Sequence, residues 1–102
     1  MRAPHDIATL EERVRAFSKR LNPSLEGITA KLIEEANELH DAPMDMAEAA
    51  DLFLVLTHLM IKQNRTLDDL VYAAHCKMDC NERRKWHPAD ANGIHRHVKE
   101  AV

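Results

Sequence analysis

The sequence predicts an all-α fold, a bundle of four to five helices that assembles as an oligomer, and three observations carry that expectation. Its 102 residues include only two Gly, four Pro, one Trp, one Tyr and two Phe, too few turn and strand formers for a β-sandwich or barrel. Apolar residues recur at spacings of three and four along most of the chain, the period of one helix face. The length suits one compact core, so a single domain over residues 1–102 is expected.

The first helix is predicted from Asp6 to Leu21, because Ile7, Leu10, Val14, Phe17 and Leu21 fall on one face. Asn22-Pro23 then ends it and starts the next, Asn22 serving as cap and Pro23 as first helical residue. The second helix runs to His40 on a stripe of Leu25, Ile28, Leu32, Ala36 and Leu39. Pro43, within the connector from Asp41 to Asp45, cannot continue that helix, and the chain is expected to reverse as an αα-hairpin. Asp45 caps the third helix, predicted from Ala47 to Lys62. This helix turns apolar on nearly every side through Leu52–Leu56 and Leu59–Ile61 and is expected to be central and most buried. A strand over Leu52–Leu56 is disfavoured, since the segment is continuous with Ala-rich sequence and contains no turn signal. Thr66-Leu-Asp-Asp69 has the shape of a capping box for a fourth helix reaching Lys85. His87-Pro88 ends that helix, residues 88–93 read as loop, and a short amphipathic turn or fifth helix from about Ile94 to Val102 would close the chain.

With 45% hydrophobic and 30% charged residues the chain is too apolar for a disordered tail, and no apolar run approaches the roughly 18 residues of a membrane span. The N-terminal segment lacks the apolar stretch of a secretory signal. A cytoplasmic location, bacterial or in a phage-infected host, with reduced Cys is therefore expected. The net charge of −3 is unevenly split: residues 1–82 carry nine basic against fifteen acidic side chains, residues 83–102 five against two. An acidic site beside an anion-seeking tail follows, and a duplex nucleic-acid partner is disfavoured.

The acidic residues are patterned. Glu35 and Glu38 on the second helix lie about 60° apart, as do Glu48 and Asp51 on the third, and Glu35 sits about 40° from Leu39 at the edge of the buried stripe. Glu38 is three residues before Asp41 and Glu48 three after Asp45; Glu35 is six before and Asp51 six after. Antiparallel helices would set both pairs level. Asp51 immediately precedes the apolar run, where water is expected to be scarce. Four converging carboxylates repel one another unless protonated or bound to cations, and all-oxygen ligation suits Mg²⁺ or Mn²⁺. Glu34 points further toward solvent, and an ordinary surface acid is as good an account of it as a functional one. On the fourth helix Lys77, Asn81 and Arg84 fall at i, i+4 and i+7, within about 30° of the direction of Leu70 and Ala74, so the stripe facing the protein turns polar midway. Such a row of donors can hold phosphate oxygens or bridge to the acids of the preceding helices.

Glu34-Glu35-Ala-Asn-Glu38 followed by Glu48-Ala-Ala-Asp51 resembles the EExxE…ExxD pattern of the all-α NTP pyrophosphatases, the MazG-like superfamily, and Lys77-x₃-Asn81-x₂-Arg84 is similar to its K-x₃-N-x₂-R element. The wider pattern over residues 25–98, including the tail from Trp86 through Asp90 to His97-Val98, resembles more narrowly the MazZ-type dATP/dGTP diphosphohydrolases. The resemblance implies that Glu35, Glu38, Glu48 and Asp51 are metal ligands for two or more Mg²⁺ or Mn²⁺ ions. It makes Glu34 a ligand of a further metal or a water-orienting base, and Lys77, Asn81 and Arg84 phosphate contacts. With Glu34, Glu35 and Glu38 as the catalytic group, the implied reaction is hydrolysis of a nucleoside triphosphate to the monophosphate and pyrophosphate. The implied substrates are purine deoxynucleotides, dGTP to dGMP and also dATP, in the setting of phages that replace adenine by 2-aminoadenine.

Trp86 is suited either to stack on a base or to fill a helix-end crevice, and Asn64 either to read a base edge or to make a turn. The seven His, His58 among them, receive no role. Three other readings remain: a pyrimidine or modified-dNTP house-cleaning pyrophosphatase, a non-catalytic helical interaction domain, and a zinc-binding module on Cys76, Cys80, His95 and His97. The H-x-H spacing of the last is wrong for a finger. Four helices with an apolar third one expose more apolar face than a chain of this length buries alone, so a homodimer or homotetramer with the site at or near a subunit interface is expected.

Overall fold

The computed structural model describes residues 5–99, in which the elements run α1 (Ile7–Leu21), α2 (Leu25–Asp41), α3 (Met46–Lys62) and α4 (Leu67–Arg83). The chain divides into two compact units, Met1–Leu70 and Val71–Val102.

In the first unit each helix begins at a side-chain cap that satisfies a free backbone N–H. Asp6 accepts from the Thr9 amide at 2.7 Å, Ser24 from Gly27 at 3.0 Å, and Asp45 from Ala47 at 2.9 Å. The expected cap of α2 is corrected here. Asn22 closes α1 in the left-handed conformation (φ 44°), donating its amide to the Ser18 carbonyl, and Ser24 opens α2 two residues later. Asn tolerates that conformation better than most residues, which is why it serves the end of one helix rather than the start of the next. Asp45 donates its amide to the Ala42 carbonyl and so tightens the α2–α3 connection.

α3 packs against both α1 and α2. Val14, Ile28, Ile61 and the first residue of α4, Leu67, are the buried apolar side chains, joined by Thr57, whose hydroxyl donates to the Phe53 carbonyl at 2.8 Å. α3 is thus central, but less buried than its composition suggests. Phe53 and Leu54 stay half-exposed, because only part of its apolar circumference is covered within the unit. Polar ties lock α1 to α3: His58 Nε2 lies 2.8 Å from the Ser18 hydroxyl, and Lys62 donates to the Asn22 side chain at 3.3 Å. Burial, then the charge of Lys62, holds the His58 imidazole below its ordinary pKa. The start of α4 carries the expected capping box, Thr66 and Asp69 exchanging hydrogen bonds of 2.9 and 3.1 Å, and the Glu11 carboxylate accepts from the Leu67 amide.

In the second unit α4 ends at Arg83, two residues early, and from Ile94 to Lys99 the tail is neither the expected turn nor a helix. Trp86 and His97 form an antiparallel bridge, flanked by bonds from the His87 amide to the Arg96 carbonyl and from the Val98 amide to the Lys85 carbonyl. The reason lies in Asp90-Ala-Asn-Gly93. Asp90 accepts from the amides of Asn92 and Ile94 and pairs with Arg96, while Gly93 takes φ 77°, closing a hairpin where a helix would have needed a start. Those bonds, that from Ile94 foremost, hold the Asp90 carboxyl below the usual range. Residues 100–102 of the expected helix lie outside the described residues. Among the described residues no helix is long and apolar enough to cross a membrane.

Candidate metal centre

The α2–α3 hairpin delivers the four carboxylates as the register implies. Glu35, Glu38, Glu48 and Asp51 each offer one oxygen, and these oxygens all lie within 4.8 Å of one another. Helix geometry explains the convergence. Residues three apart on each helix share a face, and the short connector from Ala42 to Asp45 holds the two faces opposed. Their burial is graded. Glu35 is only 5% exposed and Glu48 is half-buried, whereas Glu38 and Asp51 are open to water. Asp51 therefore departs from the expectation of a dry setting, because the apolar run that follows it is itself partly solvated, and Glu35 is the deeply placed acid.

Glu35 Oε2 and Glu48 Oε2 are buried and have no hydrogen-bond partner. A buried carboxylate oxygen without a partner is costly, and two of them facing one group of acids match the donor set a hard divalent ion takes. The Glu38 carboxyl is held above the ordinary carboxylate range, first by its hydrogen bond to Glu35, then by the charge of Glu35, by partial desolvation and by Glu48. The ligand set fits Mg²⁺ or Mn²⁺: oxygen donors only, and too much negative charge for the space without a cation.

Glu34 lies outside the four-carboxylate group. Its side chain is 66% exposed and pairs with Lys31 Nζ at 3.4 Å. Lys31 also reaches Glu35 at 3.1 Å, and these two contacts raise its pKa, that with Glu35 more strongly. The pattern of acids did not single Lys31 out; its position four residues before Glu35 was the available signal. Asn64 sits after the end of α3 with φ 58°, donating its amide to the Ile61 carbonyl.

In the second unit Lys77 is exposed on α4, and Asn81 and Arg84 are half-buried, with Arg84 donating to the Asn81 side-chain carbonyl at 3.4 Å. Trp86 donates from its indole N–H to the Asn81 backbone carbonyl at 2.9 Å and sets its ring edge-on to His97 at 6.0 Å, leaving 44% of the residue exposed. Trp86 thus closes the end of α4 and still presents surface. Among the described residues Cys76, Cys80, His95 and His97 form no metal-holding group. The His95 ring is engaged with the His87 carbonyl, and the four carboxylates make the one such group.

The model of the dATP/dGTP pyrophosphohydrolase family matches residues 13–102. The chain belongs to the dATP/dGTP pyrophosphohydrolase family. A solved structure agrees: the cyanophage S-2L MazG-like pyrophosphohydrolase, bound to dGDP and three catalytic Mn²⁺ ions per active site, is similar with a TM-score of 0.74 and 32% identity. The likeness covers 94% of this chain and all of that one. No curated protein matches by sequence. The fold is therefore the all-α, four-helix MazG-like fold, and this pyrophosphohydrolase carries its acidic group on the hairpin where the EExxE…ExxD pattern falls.

Proposed function

We propose that the chain hydrolyses purine deoxynucleoside triphosphates, dGTP and dATP, to the monophosphate and pyrophosphate with Mn²⁺ or Mg²⁺ at the α2–α3 carboxylates. The single observation that carries this is the convergence of Glu35, Glu38, Glu48 and Asp51 with two orphaned buried oxygens, in a chain of this family. Glu35, Glu38, Glu48 and Asp51 would hold the ions. Glu34, the adjacent carboxylate on α2, would serve as a further ligand or as the base that orients the attacking water, a reading supported by the three Mn²⁺ ions of the S-2L relative. The ions would supply Lewis-acid stabilisation of charge developing on the phosphates. Buried Glu35 would line the inner wall of the site, while exposed Glu38 and Asp51 would line the mouth through which substrate arrives. Lys77, Asn81 and Arg84 would bind the triphosphate oxygens as cation, amide and guanidinium donors, Arg84 held by its bond to Asn81. Trp86 would offer its exposed face to the base. Asn64 would read a base edge with its side chain, its backbone serving the turn after α3.

The expected single domain over residues 1–102 is supported by a family match that runs through both units. A homodimer or homotetramer, with the site at or near the subunit interface, is supported by the small buried core and by exposed Phe17, Leu21, Leu25, Ile33 and Phe53. A cytoplasmic setting and a role in phage 2-aminoadenine nucleotide metabolism extend the same reading, the latter supported by the cyanophage origin of the structural relative. The deciding experiment is a panel of the common NTPs and dNTPs with Mg²⁺ or Mn²⁺, products resolved by chromatography. Monophosphate plus pyrophosphate from dGTP and dATP is expected. Orthophosphate release would contradict the reaction, and activity confined to dCTP or dUTP would transfer the chain to a pyrimidine house-cleaning role.

A further inference from the structure

Among the described residues of the first unit, a cation from the same helix as the most buried acid pairs with the acidic group. Lys31 lies one turn before Glu35, and its ammonium is 3.1 Å from Glu35 Oε1 and 3.4 Å from Glu34 Oε2. The two carboxylates differ sharply: Glu35 is 5% exposed, whereas the Glu34 side chain is 66% exposed. Glu35 thus has one oxygen held by Lys31 and the other buried without a partner. A buried carboxylate with no counter-charge is strongly destabilising, and four acids within 4.8 Å multiply the repulsion.

We propose that Lys31 is the resident counter-ion of the acidic cage, a positioning residue that balances the charge of Glu35 and orients its carboxylate before metal arrives, and yields it when the divalent ion binds. The proposal rests on the metal reading given above. The Lys31 side chain is 54% exposed and already touches Glu34, so the ammonium can leave Glu35 by rotating about its own stem while remaining paired. No helix has to move. Metal uptake is then an exchange of one cation for another on Glu35, and Lys31 both preserves the site and competes for it.

Competition and preservation give opposite signs that a merely structural lysine would not show. Lys31→Met removes the counter-ion from the metal-free cage, so the midpoint of thermal unfolding in EDTA falls. It also removes a positive charge a few Å from the incoming ion, so Mn²⁺ binds about tenfold more tightly. At saturating Mn²⁺ the difference in midpoint from the wild-type protein closes, because the ion replaces the lost charge. Lys31→Arg keeps the charge and restores both properties. The test is an electron paramagnetic resonance titration of free Mn²⁺ with wild-type, Lys31→Met and Lys31→Arg proteins, together with their unfolding midpoints in EDTA and in saturating Mn²⁺ at one ionic strength. Unchanged or weaker Mn²⁺ binding by Lys31→Met would overturn the proposal, as would a midpoint deficit of equal size with and without metal. If the wild-type protein itself takes up no Mn²⁺, the metal reading of the cage fails, and the role of Lys31 falls with it.

Discussion

Replacing Glu35 by Gln should make the metal-free protein more stable while removing its function. Glu35 is nearly fully buried among three other carboxylates, and its oxygen lies no more than 4.8 Å from that of Glu48. That pair alone costs roughly 0.9 kcal/mol at the dielectric of water and roughly 3.5 kcal/mol at an effective dielectric of 20. Gln keeps the volume, removes the charge and can donate its amide to the orphaned Glu48 oxygen. The lost contact with Lys31, whose side chain is half-exposed, offsets part of this. A net gain of about 1 kcal/mol follows, a rise of roughly 4–8 °C in the unfolding midpoint for a domain of this size. The assay is differential scanning calorimetry in EDTA and in excess Mn²⁺, with pyrophosphate release from dGTP measured on the same preparations. The variant should melt higher than wild type in EDTA, gain little from Mn²⁺, and release pyrophosphate at least about a hundredfold more slowly. A lower midpoint in EDTA would refute the reasoning that the cage is repulsive when empty, and a preserved Mn²⁺ response would refute Glu35 as a ligand.

Three further outcomes follow from the same physics. Lys77→Met and Arg84→Met should each raise the KM for dGTP about tenfold and leave Mn²⁺ affinity unchanged, as seen by steady-state kinetics beside metal titration; a changed metal affinity would place these residues elsewhere in the chemistry. Because burial depresses the His58 pKa below its ordinary 6.5, its contribution to stability is complete above 6.5 and is lost as pH falls through the folded-state value. His58→Gln should therefore flatten the acid side of the stability profile below pH 6.5, and an unaltered slope in thermal melts would contradict that assignment. Light scattering coupled to size exclusion should show a dimer or tetramer, and a sole species of 11.7 kDa would remove the assembly proposal.

The parts legible in the sequence were those governed by helical period. The three-and-four spacing located all four helices, and the equal distances of Glu38 and Glu48, and of Glu35 and Asp51, from the two ends of the connector placed the acids level before any coordinates. Where two local devices competed, period had nothing to say. Asn22 and Ser24 are both good caps, and only the left-handed backbone at Asn22 shows which helix each serves. The tail departs from the helical expectation because Ile94, His97 and Val98 mimic a short amphipathic stripe, while the Asp90-to-Gly93 turn that pairs Trp86 with His97 is a four-residue signal. Burial of Glu35 rather than Asp51 depends on how α2 and α3 face each other, which spacing along one helix does not report. Lys31 is not legible as special in the sequence, because lysines one turn from a glutamate are common on solvated helices. Only the burial of its partner sets it apart.

The chemistry depends on the carboxylates of α2 and α3 holding divalent ions. The most direct measurement is an anomalous difference map from crystals of the wild-type protein grown with Mn²⁺ and a non-hydrolysable dGTP analogue. Manganese peaks should lie among the side-chain oxygens of Glu35, Glu38, Glu48 and Asp51. Peaks confined to other residues, or none in crystals of protein that still releases pyrophosphate in Mn²⁺, would contradict it.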